Sequence, residues 1–123
     1  MPMETGQDNQ ERRRAVRITL IGPARVGSKV EQRAVSAVID NANRAGAGFH
    51  AKESLVANEP VTVCFAFLDH LGEDHQEKLA GRVAWVKSWE KGHLIGVVWD
   101  RLVAKDTSPW LASFLDYSMQ QTA

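Results

Sequence analysis

The chain has 123 residues, of which 44% are hydrophobic and 24% are charged. A domain typically takes about 100 to 200 residues, so this length predicts one compact domain with a substantial core and excludes a second catalytic domain. Fifteen basic and fifteen acidic side chains give no net charge, which argues against a general attraction to DNA, RNA or an anionic membrane. The longest apolar run, residues 63–68, is far shorter than the about 20 residues that a membrane-spanning helix needs.

The N-terminal segment differs from the rest of the chain in charge. Residues 1–10 are polar and aperiodic, which predicts a flexible tail before a single domain over residues 11–120. Residues 1–34 hold seven basic and four acidic side chains, so any attraction to an anion is concentrated there. The lone cysteine, Cys64, excludes an intramolecular disulfide, and no apolar signal segment follows the start, which together favour a cytoplasmic location. Because Cys64 lies within the apolar run, we expect it to be buried.

From residue 16 onward, short runs of β-branched and aromatic residues alternate with turn signals, a rhythm typical of an antiparallel all-β domain. Closure of such strands into a barrel removes exposed edges, so the sequence predicts a six-stranded antiparallel β-barrel. We place the strands near residues 16–25, 32–40, 47–54, 60–68, 78–89 and 93–100.

The last two predicted strands form a hairpin around Lys91-Gly92, a tight turn signal. Strict alternation would put Val83, Trp85, Lys87 and Trp89 on one face of the first strand, and Ile95, Val97 and Trp99 on one face of the second. After residue 99 the apolar residues recur at the spacing of a helix. Ser108 before Pro109 predicts a helix N-cap, followed by a C-terminal amphipathic α-helix whose apolar stripe packs on the barrel or is offered to a partner.

Four arginines occur within six positions just before the first strand, at Arg12, Arg13, Arg14 and Arg17. Guanidinium groups bind phosphate in a bidentate manner and also bond the O6 and N7 acceptors of guanine. The cluster therefore suits a ligand that carries both phosphate and guanine. A solubilising or loosely RNA-attracting basic tail is the alternative interpretation.

A second polar segment, residues 40–49, lies between two predicted strands. Asn41 and Asn43 are two positions apart, so in extended backbone both amides project to one side, where they could bond a base edge. Gly46 permits a positive φ and a close approach of the backbone to a ligand. Taken alone, the segment also fits an ordinary strand-linking turn.

Together these two segments resemble the motifs of the PilZ family of cyclic di-GMP receptors. The family's first motif is a pair of arginines followed by a third four positions on, and Arg12, Arg13 and Arg17 match it, with Arg14 as an additional arginine. Its second motif, Asp or Asn, any residue, Ser, any two residues and Gly, has the spacing of residues 41–46. Residues 79–85 and 94–99 are similar to the family's late hairpin, so the resemblance covers roughly residues 11–118.

The resemblance implies a PilZ-like barrel that binds cyclic di-GMP, with no catalytic residues, cofactor or metal. Arg12, Arg13 and Arg17, with Arg14 as a further candidate, would fold over the ligand, while Asn41, Asn43 and Gly46 would hold a guanine edge at the barrel surface. Trp85 would stack on a base or pack beneath it, or would be a barrel residue under no ligand. Ordering of the arginine arm would change the surface shown to a separate effector protein in the control of bacterial motility or biofilm formation.

Asn43 departs from the family pattern because serine usually occupies that position. Asparagine still offers a donor and an acceptor but is longer. Some family members without these motifs act as protein adaptors and bind no nucleotide. An adaptor that works only through protein–protein contacts is therefore the alternative function.

Other chemistries have less support in the sequence. Residues 69–75 contain two Asp-His pairs around a glycine, a possible metal site, but clustered polar residues between strands are typical of an exposed loop. Neither His50 nor His93 has a partner at a hydrolytic-triad spacing, and no Walker-type loop is present. We therefore expect no enzyme, no membrane insertion and no DNA or RNA partner, although a small barrel that stacks single-stranded nucleic acid on its aromatic side chains is a further class to test.

Overall fold

The structure, a computed structural model, describes residues 17–122, without the side chain of residue 122. The predicted tail at 1–10 and the arginines at 12–14 lie outside this range. The described chain forms six strands and one helix: β1 Ile18–Ser28, β2 Ala34–Ala42, β3 Gly46–Ala51, β4 Pro60–Leu68, β5 Asp74–Trp89, β6 Gly92–Trp99 and α1 Pro109–Thr122.

The six strands close into a barrel in the order β1-β2-β3-β6-β5-β4, and every neighbouring pair is antiparallel. This confirms the predicted fold. Apart from the register shifts in β1, β2 and β5, alternate side chains along the strands point inward. They form one buried core, which includes Val26, Ile39, Phe49, Val63 and Ile95. Burial of this alternate apolar set drives closure of the barrel.

Strand β5 begins at Asp74, four residues before its predicted start. The additional residues pair with β4 down to Leu68 opposite Asp74, so a loop of only five residues, 69–73, joins the two strands. The sequence did not reveal this extension because residues 74–78 are all polar. Pairing with the apolar strand β4, and not the intrinsic preference of these residues, makes them a strand.

The prediction of strict alternation along β5 is wrong. A register shift lies between Val83 and Trp85, so Val83 is fully buried while Trp85 is 43% exposed. Such a bulge adds one residue to one strand and reverses the face to which the following side chains point. In β6 the expected alternation holds, because Ile95, Val97 and Trp99 are all buried.

The expected burial of Cys64 is also wrong, because its side chain is exposed on the outside of β4. The apolar run around it obeys the period of two, with Val63 and Phe65 inward, which leaves Cys64 at an outward position. Within the described residues, no helix has the length and apolar character needed to cross a membrane.

Helix α1 begins at Pro109 as predicted, but its N-terminal cap is not the Ser108 side chain. The Ser108 hydroxyl is buried and makes no hydrogen bond. Instead, Oε2 of Glu77 on β5 accepts hydrogen bonds from the backbone amides of Trp110 (2.9 Å) and Leu111 (3.0 Å). The carboxylate satisfies two otherwise unpaired amides at the positive end of the helix, and buried Leu111 and Leu115 then join the barrel core.

Candidate functional site

Four residues on four neighbouring strands form one row across the outside of the barrel. Asn41 on β2 is opposite Gly48 on β3, which is opposite Gly96 on β6, which is opposite Trp85 on β5. The row therefore places two glycines between an amide and an indole. Hereafter this set of four residues is called the glycine row.

The two glycines let their neighbours lie flat on the strands. A Cβ atom on Gly48 would lie 3.0 Å from Oδ1 of Asn41, and one on Gly96 would lie 2.3 Å from the Trp85 ring. Glycine inside a strand usually weakens it, so its use here fits the close approach of these two side chains. The glycine row consequently presents the Asn41 amide and the Trp85 ring on one surface, with two residues that lack side chains between them in register.

Two strand irregularities determine the directions of the Asn41 and Trp85 side chains. Besides the bulge before Trp85, β2 has a register shift between Ile39 and Asn41. Bulges commonly redirect side chains at binding sites, and both of these lie next to the glycine row. The sequence contains no direct signal for either bulge, because each depends on how two distant strands pair.

Arg17, from the arginine motif, contacts Asn41, from the second motif. It immediately precedes β1, its side chain is exposed, and its Nη1 donates a 2.8 Å hydrogen bond to Oδ1 of Asn41. Arg17 is the only member of the predicted arginine set within the described residues, since Arg12, Arg13 and Arg14 precede them. The contact therefore joins a guanidinium group of the arginine segment to the amide of the glycine row.

These side chains line a shallow pocket of about 170 Å³. Its walls contain Arg17, Asn41, Gly48 and Trp85, and Asp40 contributes a carboxylate. Asp40 was not a predicted site residue. It is turned toward β3 by His50, whose Nδ1 lies 2.9 Å from both carboxylate oxygens.

Asn43 lies in the turn after β2, not beside Asn41 on the strand. Strand β2 ends at Ala42, so the extended backbone that would align the two amides does not continue to Asn43. Its Oδ1 accepts hydrogen bonds from the backbone amides of Ala45 (2.8 Å) and Gly46 (2.9 Å), and the side chain is nearly buried. This is the local side-chain bonding expected of an Asx turn, a role that serine also fills.

Gly46 is required for packing and not for a positive φ, which among the described glycines occurs only at Gly72 and Gly92. A Cβ atom on Gly46 would lie 2.2 Å from the Val97 carbonyl oxygen. The absence of a side chain thus lets β3 start directly against β6. The sequence predicted a close approach of the backbone to a ligand at Gly46, whereas in the structure the close approach is to a neighbouring strand.

The sequence and the fold of the chain are both similar to those of known proteins. The PilZ domain family model matches residues 11–111. Among solved structures, the chain is similar to the Bacillus subtilis inhibitor of motility (MotI/DgrA), with a TM-score of 0.67 and 12% sequence identity over 87% of this chain and 49% of that chain. The similarity extends to the fold, and this chain spans about half the length of that one. The search among curated proteins returned no match.

Proposed function

The chain belongs to the PilZ domain family, and from this membership we propose that it is a receptor for cyclic di-GMP. The observation that carries the proposal is the hydrogen bond from Arg17 to Asn41. It places a member of the arginine motif and a member of the second motif in one pocket beside Trp85. A guanidinium group can bind a phosphate or a guanine edge, an amide can bond a guanine edge, and an aromatic ring can stack on a purine.

Each group has a distinct role in the proposed complex. The Trp85 ring, 43% exposed and supported from below by Gly96, offers its outer face to a purine. The amide of Asn41 bonds a guanine edge. Arg17, with Arg12 and Arg13 and the additional Arg14, pairs with the phosphates or with the O6 and N7 atoms of guanine.

Asn43 and Gly46 support the site through the turn. Since Oδ1 of Asn43 is used by two backbone amides, only its Nδ2 group is left to donate to a ligand. Gly46 fixes the start of β3, two residues before Gly48 of the glycine row. Asparagine in place of the family's serine is thus compatible with the turn that positions Asn41.

In the proposed signalling mechanism, ligand binding orders the arginine segment. A ligand with two phosphates draws the arginine segment before β1 onto the glycine row, which changes the surface available to a separate effector protein. No bond of the ligand is broken, so the protein acts by binding and not as an enzyme. In keeping with the family, we place this signalling in the bacterial cytoplasm, in the control of motility or biofilm formation.

Isothermal titration of the full chain with cyclic di-GMP tests the proposal. GTP, cyclic GMP and a short single-stranded oligonucleotide serve as controls, because polynucleotide binding would weaken steeply with salt and grow with oligomer length. We expect selective, saturable binding of one or two cyclic di-GMP molecules per chain. No heat at high ligand concentration would reject the receptor and leave the nucleotide-independent adaptor.

Two variants locate the site. Arg17→Ala should abolish binding without unfolding the barrel, whereas Arg25→Ala, which removes an exposed arginine farther along β1, should retain it. Gly96→Ala should weaken binding because its methyl group displaces the Trp85 ring. Wild-type affinity of Arg17→Ala would refute the assignment of the arginine.

A further inference from the structure

The loop between β4 and β5 brings together three metal-ligating side chains that the proposed nucleotide site does not use. Donor atoms of Asp69, Glu73 and His75 all lie within 4.8 Å of one another. The sequence favoured an ordinary exposed loop here. The early start of β5 changes that interpretation, because it makes His75 part of the strand, opposite Phe67 of β4 and next to the loop.

The Asp69 carboxylate is oriented by the loop backbone. Its Oδ1 accepts hydrogen bonds from the amides of Leu71 (2.8 Å) and Glu73 (2.9 Å), while Oδ2 faces Nε2 of His75 at 2.7 Å. The hydrogen bond from the Glu73 amide is the largest cause, and the hydrogen bond with His75 the next largest, of a lowering of the pKa of Asp69 to about 2. The two backbone hydrogen bonds thus hold the carboxylate with Oδ2 facing His75.

The His75 ring is fixed by contacts outside the loop. It stacks on Trp110 of α1 with ring centroids 4.3 Å apart and an angle of 18°, and it also contacts Phe67 of β4. Only 10% of its side chain is exposed. Packing thus holds the ring in one orientation with Nε2 directed at the Asp69 carboxylate. Glu73 is exposed and leaves the group open to solvent.

We propose that Asp69, Glu73 and His75 bind a divalent transition-metal ion of the Zn²⁺ or Ni²⁺ class. One imidazole nitrogen with carboxylate oxygens suits these ions, whereas Mg²⁺ and Ca²⁺ prefer an all-oxygen set. The ion replaces the proton shared between Nε2 and Oδ2, and water completes its coordination. Metal–ligand bonds of about 2.0 to 2.2 Å require the two atoms to separate slightly from their present 2.7 Å.

This metal site is separate from the nucleotide pocket. His75 and Trp85 are ten residues apart on β5, roughly 30 Å of extended strand. The ion would instead act on α1, because its histidine ligand stacks on Trp110 in the first turn of the helix. Metal binding should therefore fix the start of α1 against β5.

The test is a calorimetric titration of the nucleotide-free full chain with Zn²⁺, repeated with Ni²⁺ and Mg²⁺. We expect one Zn²⁺ or Ni²⁺ per chain and no response to Mg²⁺. Ni²⁺ should also quench tryptophan fluorescence, and Trp110→Phe should remove that quenching while leaving the binding heat. Absence of a saturable response to both Zn²⁺ and Ni²⁺ would overturn the metal site and would leave the nucleotide proposal untouched.

Variants assign the ligands. His75→Gln and Asp69→Asn should each weaken Zn²⁺ binding more than about tenfold, and Asp69→Asn keeps an oxygen for the two loop amides, so the loop stays folded. His50→Gln is the matched control, since His50 also pairs with an aspartate but lies on β3. Unchanged binding in His75→Gln, or loss in His50→Gln alone, would contradict the proposal.

Discussion

Arg44 connects the turn of the second motif to Asp116 on helix α1 through an ion pair. Its Nη1 also donates to the Val103 carbonyl oxygen (3.1 Å), and its own carbonyl oxygen accepts from the Val103 amide (2.9 Å). The turn that positions Asn43 and Gly46 is therefore bonded both to the segment before the helix and to the helix itself. A change in this turn has a direct physical route to α1.

Arg44→Ala should destabilise the protein by about 1 kcal/mol, because it removes a partly buried hydrogen bond and a half-exposed ion pair. The amides of α1 should also exchange faster with solvent. Hydrogen exchange and chemical denaturation measure both effects, with Arg101→Ala as a control that removes the same charge from an exposed nearby position. Equal exchange of α1 in the two variants would show that Arg44 does not hold the helix.

Gly46→Ala should destabilise the barrel by about 3 kcal/mol, since its Cβ would lie 2.2 Å from a backbone oxygen that cannot move without shifting β6. Gly27→Ala is the matched control in β1, where a Cβ would make an ordinary 3.7 Å contact. Thermal unfolding gives the melting temperatures of the two variants for comparison. Similar melting temperatures for both variants would mean that β3 and β6 tolerate a wider spacing than the structure shows.

Substitutions at Asn43 separate its structural role from a role in binding. Asn43→Ala should cost about 2 kcal/mol of stability, as two hydrogen bonds to the turn are lost. Asn43→Ser should retain most of the stability and the cyclic di-GMP affinity. Asn43→Asp keeps the acceptor but loses the Nδ2 donor and adds charge, so it should fold normally and bind ligand more weakly; undiminished affinity of this variant would exclude a ligand contact through Nδ2.

Glu77→Ala should destabilise the protein by about 1 to 2 kcal/mol, because two amides of the first turn of α1 lose their acceptor. Ser108→Ala should have little effect, since its hydroxyl makes no hydrogen bond. Urea denaturation of the two variants measures the difference. A larger loss in Ser108→Ala than in Glu77→Ala would restore serine as the cap.

The features that could be predicted from the sequence are those encoded locally. The run of β-branched and aromatic residues at 60–68 matches β4 at both ends, and Pro109 marks the first residue of α1. The role of the Asn41 segment in ligand binding stays a prediction, which rests on its residue types, its spacing and the resemblance to the family motif. In each case neighbouring residues carry the signal, so no knowledge of the tertiary pairing was needed.

The features that were missed depend on residues far apart in the chain. The bulge that turns Trp85 outward exists only in its pairing with β6, and Glu77 caps a helix that begins 32 residues later. Gly96 could have been noticed as a glycine within an apolar strand, a sign of close approach. That the approaching group is the Trp85 ring follows only from the register.

The most direct test of the nucleotide site is a titration of ¹⁵N-labelled protein with cyclic di-GMP followed by nuclear magnetic resonance. If the glycine row is the binding surface, the backbone amides of Asn41, Gly48 and Gly96 and the indole N–H of Trp85 will shift together and saturate. The amides of residues 69–73 serve as an internal reference and should not move. Saturable shifts confined to another face of the barrel, or no shifts at all, would contradict the assignment of the glycine row as the binding surface.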